Sequence, residues 1–112
     1  MRKPALQRIT PSLIRRMVKR IVRQFDPEQV ILFGSQARGD AGPDSDVDLL
    51  VVMPVKGNRL EKEVEIRGVL HEFLVPMDII VTTLEDFAWR KNHVGTIEWP
   101  AAKEGKVLYA RG

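Results

Sequence analysis

The 112-residue chain contains no cysteine, which excludes a disulfide framework and a thiolate metal site and suits a reducing compartment. It has no apolar stretch approaching the ~20 residues of a membrane span, and no apolar core follows its basic N-terminus as in a signal peptide. The expectation is a soluble, cytoplasmic protein with no membrane partner. Charge of one sign is scarcely in excess: 18 Lys plus Arg stand against 15 Asp plus Glu, a formal net charge of +3. So small an imbalance makes no case for a polyanionic partner, and direct nucleic-acid binding is not expected. No internal repeat or low-complexity segment is present. The length fits one domain spanning residues 1–112, able to bury roughly two-thirds of its unfolded surface.

What the chain does contain is concentrated between Gly34 and Val52, GSQARGDAGPDSDVDLLVV. The apolar run Val30 to Phe33 ends in Gly34, where a glycine lets the backbone turn sharply and lets a ligand approach the amides. Ser35 adds a hydroxyl. Gln36, Ala37 and Arg38 contain no glycine or proline, so the turn can pass into a short helical start whose N–H groups face an anion such as a phosphate. Arg38 is placed to touch the same phosphate, an exposed arginine being the alternative. Residues 39–45 read as a loop.

Asp46 and Asp48 flank Val47 at the mouth of the apolar run Leu49 to Met53. Residues two apart on a strand share a face, so both acids point the same way, roughly 6 to 7 Å apart. Such a pair repels itself unless a cation intervenes. Hard oxygen ligands beside a phosphate suit Mg²⁺ or Mn²⁺, in the manner of a two-metal phosphoryl- or nucleotidyl-transfer site. Asp44 shares the spacing but follows Pro43, and reads as a loop or capping acid. Asp78 is the lone charge in Pro76 to Val81; on a strand beside the first it would join the pair, as a metal ligand or as the acceptor of a hydroxyl proton.

The flanks read as support. Thr10-Pro11 is an N-cap followed by proline at the first helical position. Leu13, Ile14, Met17, Val18, Ile21, Val22 and Phe25 recur at helical spacing, leaving Arg15, Arg16, Lys19, Arg20 and Arg23 on the other side. That basic stripe is a solvated helix face, or a contact for RNA or an acidic partner. Asp26-Pro27 ends the helix and Gln29 to Phe33 forms a strand. A crossover helix from about Arg59 to Phe73 is expected to turn Leu60, Val64, Leu70 and Phe73 inward, with Gly68 a weak point. Thr83 caps a helix from Leu84, and Lys106 to Ala110 forms a last strand. Phe87, Trp89, Ile97 and Trp99 read as packing residues; His71 and His93 read as surface residues.

Gly34-Ser35, a ten-residue spacer and Asp46-Val47-Asp48 resemble the glycine-serine plus DxD signature of the nucleotidyltransferase superfamily that includes DNA polymerase beta. The small size and the GSQARG and DSDVDLLVV segments look like its minimal nucleotidyltransferase (MNT) branch, the antitoxin partners of HEPN toxins. The resemblance implies an α/β fold, a small mixed β-sheet flanked by helices. It further implies that Gly34 and Ser35 hold the β- and γ-phosphates of ATP, that Asp46 and Asp48 hold two Mg²⁺ ions, and that Asp78 completes one metal site and takes a proton from the acceptor hydroxyl. The acceptor it implies is a tyrosine of a HEPN-type toxin, which receives AMP. Two other readings stay open: a catalytically idle toxin-binding module, and a transferase acting on a small molecule such as an antibiotic.

Overall fold

The computed structural model describes residues 7–42 and 45–112; Asp44 lies outside them. Helix α1 spans Pro11–Phe25, β1 Gln29–Phe33, α2 Ser35–Arg38, β2 Val47–Val52, α3 Arg59–Val69, β3 Met77–Thr82, α4 Leu84–Arg90, α5 Glu98–Glu104 and β4 Lys106–Ala110. The four strands form one mixed sheet in the order β3-β2-β1-β4. β1 is antiparallel to both β2 and β4, and β2 is parallel to β3. The parallel pair requires a crossover, which α3 supplies.

Local chemistry sets the boundaries. The Thr10 hydroxyl accepts the Leu13 N–H at 3.1 Å with Pro11 at the first helical position, and Asp26 closes α1 in a left-handed conformation, its N–H donating to Val22 O at 3.0 Å. Thr83 caps α4 in the same way, through the Asp86 N–H at 3.1 Å. Leu13, Ile14, Met17, Val18 and Ile21 of α1 are buried as their spacing predicts, against the sheet face that presents Val30, Leu32, Leu49, Val51, Ile79 and Val81. The opposite face presents Ile31, Phe33, Leu50 and Val52 to Ala101 of α5, with Ile80 and Phe87 beside them.

One expectation for α3 fails. Leu60 and Val64 are 67% and 65% exposed, while Glu63, Ile66, Leu70 and Phe73 are buried. The Glu63 carboxylate accepts the N–H of Val81 at 2.8 Å, a backbone group on the open side of edge strand β3. A buried donor left without an acceptor costs about 1–3 kcal/mol, and satisfying it turns the helix onto its 63-66-70-73 stripe. The helix also stops at Val69, before Phe73, and Gly68 lies within it without breaking it. Trp89 departs from the packing expectation too: it is 64% exposed, with its ring stacked on His93 at 4.2 Å between centroids.

Candidate functional site

β1 ends at Phe33, paired with Asp48 across the antiparallel ladder. Gly34 then turns the chain with φ 72°, a conformation that L side chains rarely adopt. A Cβ added there would collide with the Asp48 carboxylate, so the glycine serves both the turn and the space the acid occupies. Ser35 opens α2, where the N–H groups of Ser35 and Gln36 have no carbonyl a turn before them in the helix. The Ala37 and Arg38 N–H groups donate to Gly34 O, each at 3.1 Å, and Gly39 and Asp40 donate to Ser35 O. The loop returns through Ser45, whose hydroxyl accepts the Gly42 N–H at 2.8 Å and whose carbonyl accepts from Gln36 Nε2 at 3.4 Å. Gln36 and Ser45 had no marked signal in the sequence, because their partnership depends on how the loop folds back.

Asp48 and Asp78 are register partners on the parallel strands β2 and β3. They lie on the sheet face shared with Leu50 and Ile80, beyond the part covered by α5. Asp46 is exposed and Asp48 half-buried. Burial pushes the Asp48 carboxyl up to about 6, the charges of Asp46 and then Asp78 add to the rise, and Arg38 opposes it. Burial and two neighbouring carboxylates thus disfavour the charge on Asp48, which is the electrostatic condition that favours a bound cation.

Asp78 has a cation beside it. Its Oδ1 accepts from Arg67 Nη2 at 3.2 Å, with the two side chains 49% and 42% exposed. The sequence gives no sign of this pair, since it arises only when α3 lies back along β3. Arg38 ends α2, its Nε 3.2 Å from Asp40 and Nη1 3.5 Å from Glu104; the Asp40 hydrogen bond and charge raise its pKa further above the usual arginine value. It is close enough for its charge to reach Asp48, but its hydrogen bonds go to other acids.

No three His, Asp or Glu side chains among the described residues enclose a metal site. Mg²⁺ does not need such a cage: it usually keeps several waters and binds through one or two carboxylates plus substrate phosphates. Asp48, beside Gly34, and Asp46, two residues before it, fit that mode of binding by their chemistry.

The chain belongs to the nucleotidyltransferase domain family, whose match covers residues 14–99. A search of curated proteins found no match. Among solved structures, a Sulfolobus solfataricus protein described as a candidate nucleotidyltransferase is similar at 25% identity and TM-score 0.61, over 89% of this chain and 79% of that one. A toxin-antitoxin structure with AMP-PNP is similar at 18% identity and TM-score 0.55, over 87% and 73% of the two chains. A complex of tri-AMPylated Shewanella oneidensis HEPN toxin with MNT antitoxin is similar at 16% identity and TM-score 0.52, over 91% and 74%. The mixed sheet with its flanking helices is the nucleotidyltransferase-like fold that the motif implied. Among the described residues, no helix is long and apolar enough to cross a membrane.

Proposed function

We propose that this chain is a Mg²⁺-dependent nucleotidyltransferase that moves AMP from ATP to a tyrosine hydroxyl of a HEPN-type toxin and so acts as the toxin's antitoxin. The observation that carries the proposal is the register of Asp48 beside Asp78, with Asp48 packed directly under the Gly34 turn. Carboxylates and the Gly34-Ser35 turn meet there at one end of the sheet. The fold neighbours support the choice of donor and acceptor, one containing AMP-PNP and another an AMPylated toxin.

Gly34 gives the triphosphate close access to the backbone, and Ser35 with the first N–H groups of α2 holds its β- and γ-phosphates. Asp46 and Asp48 would hold Mg²⁺, two ions in the full site with Asp78 contributing to one. When bound, the metal neutralises phosphate charge and orients the leaving group. Asp78 accepts the proton of the tyrosine hydroxyl as its oxygen bonds to the α-phosphorus; the bond from that phosphorus to the bridging oxygen breaks and pyrophosphate leaves. The exposed Arg67–Asp78 pair is worth little, ~0–1 kcal/mol, so the arriving substrate can displace it.

The proposal is tested by incubating the chain with Mg²⁺, ATP and a HEPN-type toxin and weighing the toxin by mass spectrometry. Adenylyl adducts on tyrosine, absent with Asp46→Asn or Asp48→Asn, are expected. Toxin neutralised without an adduct, by wild type and both variants alike, would overturn the enzymatic reading in favour of a binding module.

A further inference from the structure

Helix α1 carries Arg15, Arg16, Lys19, Arg20 and Arg23 and no acidic residue. Arg20 pairs with Glu72, whereas Arg15, Arg16, Lys19 and Arg23 form no ion pair among the described residues. Three of these four cations rim a groove of ≈ 550 Å³ between α1 and β4, which also has apolar walls from Val22, Val107 and Tyr109. Beside the groove runs β4, which among the described residues pairs with β1 alone, with one irregularity in the register, and ends the sheet. Its outward N–H and C=O groups therefore have no strand partner. Val107 on this strand is 57% exposed.

We propose that the groove and the open edge of β4 form a docking site for an extended acidic segment of a partner protein. The segment adds to β4 as a fifth strand and sets its carboxylates against Arg15, Arg16 and Lys19. Three features converge on that occupant. The edge supplies the main-chain hydrogen bonds of strand addition. Alternate side chains of the segment point toward α1, where their carboxylates meet cations that form no ion pair among the described residues and their stems lie along the apolar walls. A second copy of this chain would bring the same basic surface to the edge and meet like-charge repulsion. A nucleic acid would use the cations but has no strand backbone to complete the edge. β4 lies three strand positions from β3, roughly 14 Å across the sheet, so a segment held there leaves the Asp48–Asp78 end open. The inference stands independently of the transfer reaction.

The test uses the full chain and a fluorescent peptide of about eight residues alternating valine and glutamate, read by anisotropy at low salt and by hydrogen exchange of the β4 amides. Saturable binding is expected, weakened by added salt and by about tenfold or more in the Arg15→Glu/Lys19→Glu double variant, with slowed exchange at outward-facing amides of Lys106–Ala110. A peptide with lysine in place of glutamate is expected not to bind. Absent binding, or binding that leaves the β4 amides unprotected in the wild type, overturns the proposal whatever the variant does. Tight binding of a single-stranded RNA, with no protection by the peptide, would assign the basic face to nucleic acid instead.

Discussion

Gly34 and Asp48 occupy a shared space: the carboxylate fills the volume that any side chain on residue 34 would need. The glycine is at φ 72°, so Gly34→Ala meets both backbone strain and a collision with the acid. The variant is expected to lose about 1–3 kcal/mol of stability in urea denaturation, and to lose nucleotide-dependent thermal stabilisation because relief of the clash displaces Asp48.

Asp48 is held in an environment that disfavours its charge, so Asp48→Asn is expected to stabilise the nucleotide-free protein while abolishing transfer. The sign follows from linkage. The folded-state pKa of about 6 lies above the ordinary value of 3.8, so the folded state binds the proton more tightly and the wild type loses stability as pH rises through that interval. The stability difference between variant and wild type should be near zero below pH ~4 and fully developed above pH ~6.5. For a carboxyl only partly removed from water, about 1–2 kcal/mol is expected. Urea melts of both proteins at several pH values measure it; a variant no more stable than wild type at neutral pH would contradict the assignment.

Mg²⁺ with a non-hydrolysable ATP analogue is expected to raise the melting temperature of the wild type. The effect should weaken below pH ~6, where Asp48 takes up a proton that the cation must displace. Asp46→Asn is expected to lose most of the shift, while its melting temperature without ligand changes little.

The Arg67–Asp78 pair separates two roles for Asp78. If the pair serves only to hold a surface acid, Arg67→Ala and Asp78→Asn behave alike. The proposed mechanism expects otherwise: Arg67→Ala keeps transfer within a few-fold and shifts stability by less than ~1 kcal/mol, whereas Asp78→Asn lowers the transfer rate by about 10² or more.

Glu63 gives a further contrast, on the fold itself. Glu63→Ala leaves the Val81 N–H without its acceptor and should cost about 1–3 kcal/mol. Leu60→Ala, at a position 67% exposed, should fall within about ±0.5 kcal/mol. The apolar spacing of the sequence suggests the reverse order, and paired urea melts decide it.

That inversion shows where the sequence was legible. Thr10-Pro11, Asp26-Pro27 and Thr83 act through their own backbone and near neighbours, so the ends of α1 and the start of α4 could be read directly. Asp46, Asp48 and Asp78 stood out because a charge at the mouth of an apolar strand has few structural uses. The α3 face could not be read, since the deciding hydrogen bond joins residues 18 apart, Glu63 and Val81. Arg67 was equally hidden: its contact with Asp78 is a product of the crossover. The meeting of Arg15, Arg16 and Lys19 with the edge of β4 likewise depends on bringing the two ends of the chain together.

The most direct test of the central claim compares ATP labelled at the α-phosphate with ATP labelled at the γ-phosphate, in the presence of Mg²⁺ and a HEPN-type toxin. Label on the toxin is expected from the α position only, with pyrophosphate released, and no label when Asp48 is replaced by asparagine. Label from the γ position would mean phosphoryl rather than nucleotidyl transfer, and label that survives Asp48→Asn would remove the carboxylate cluster from the chemistry.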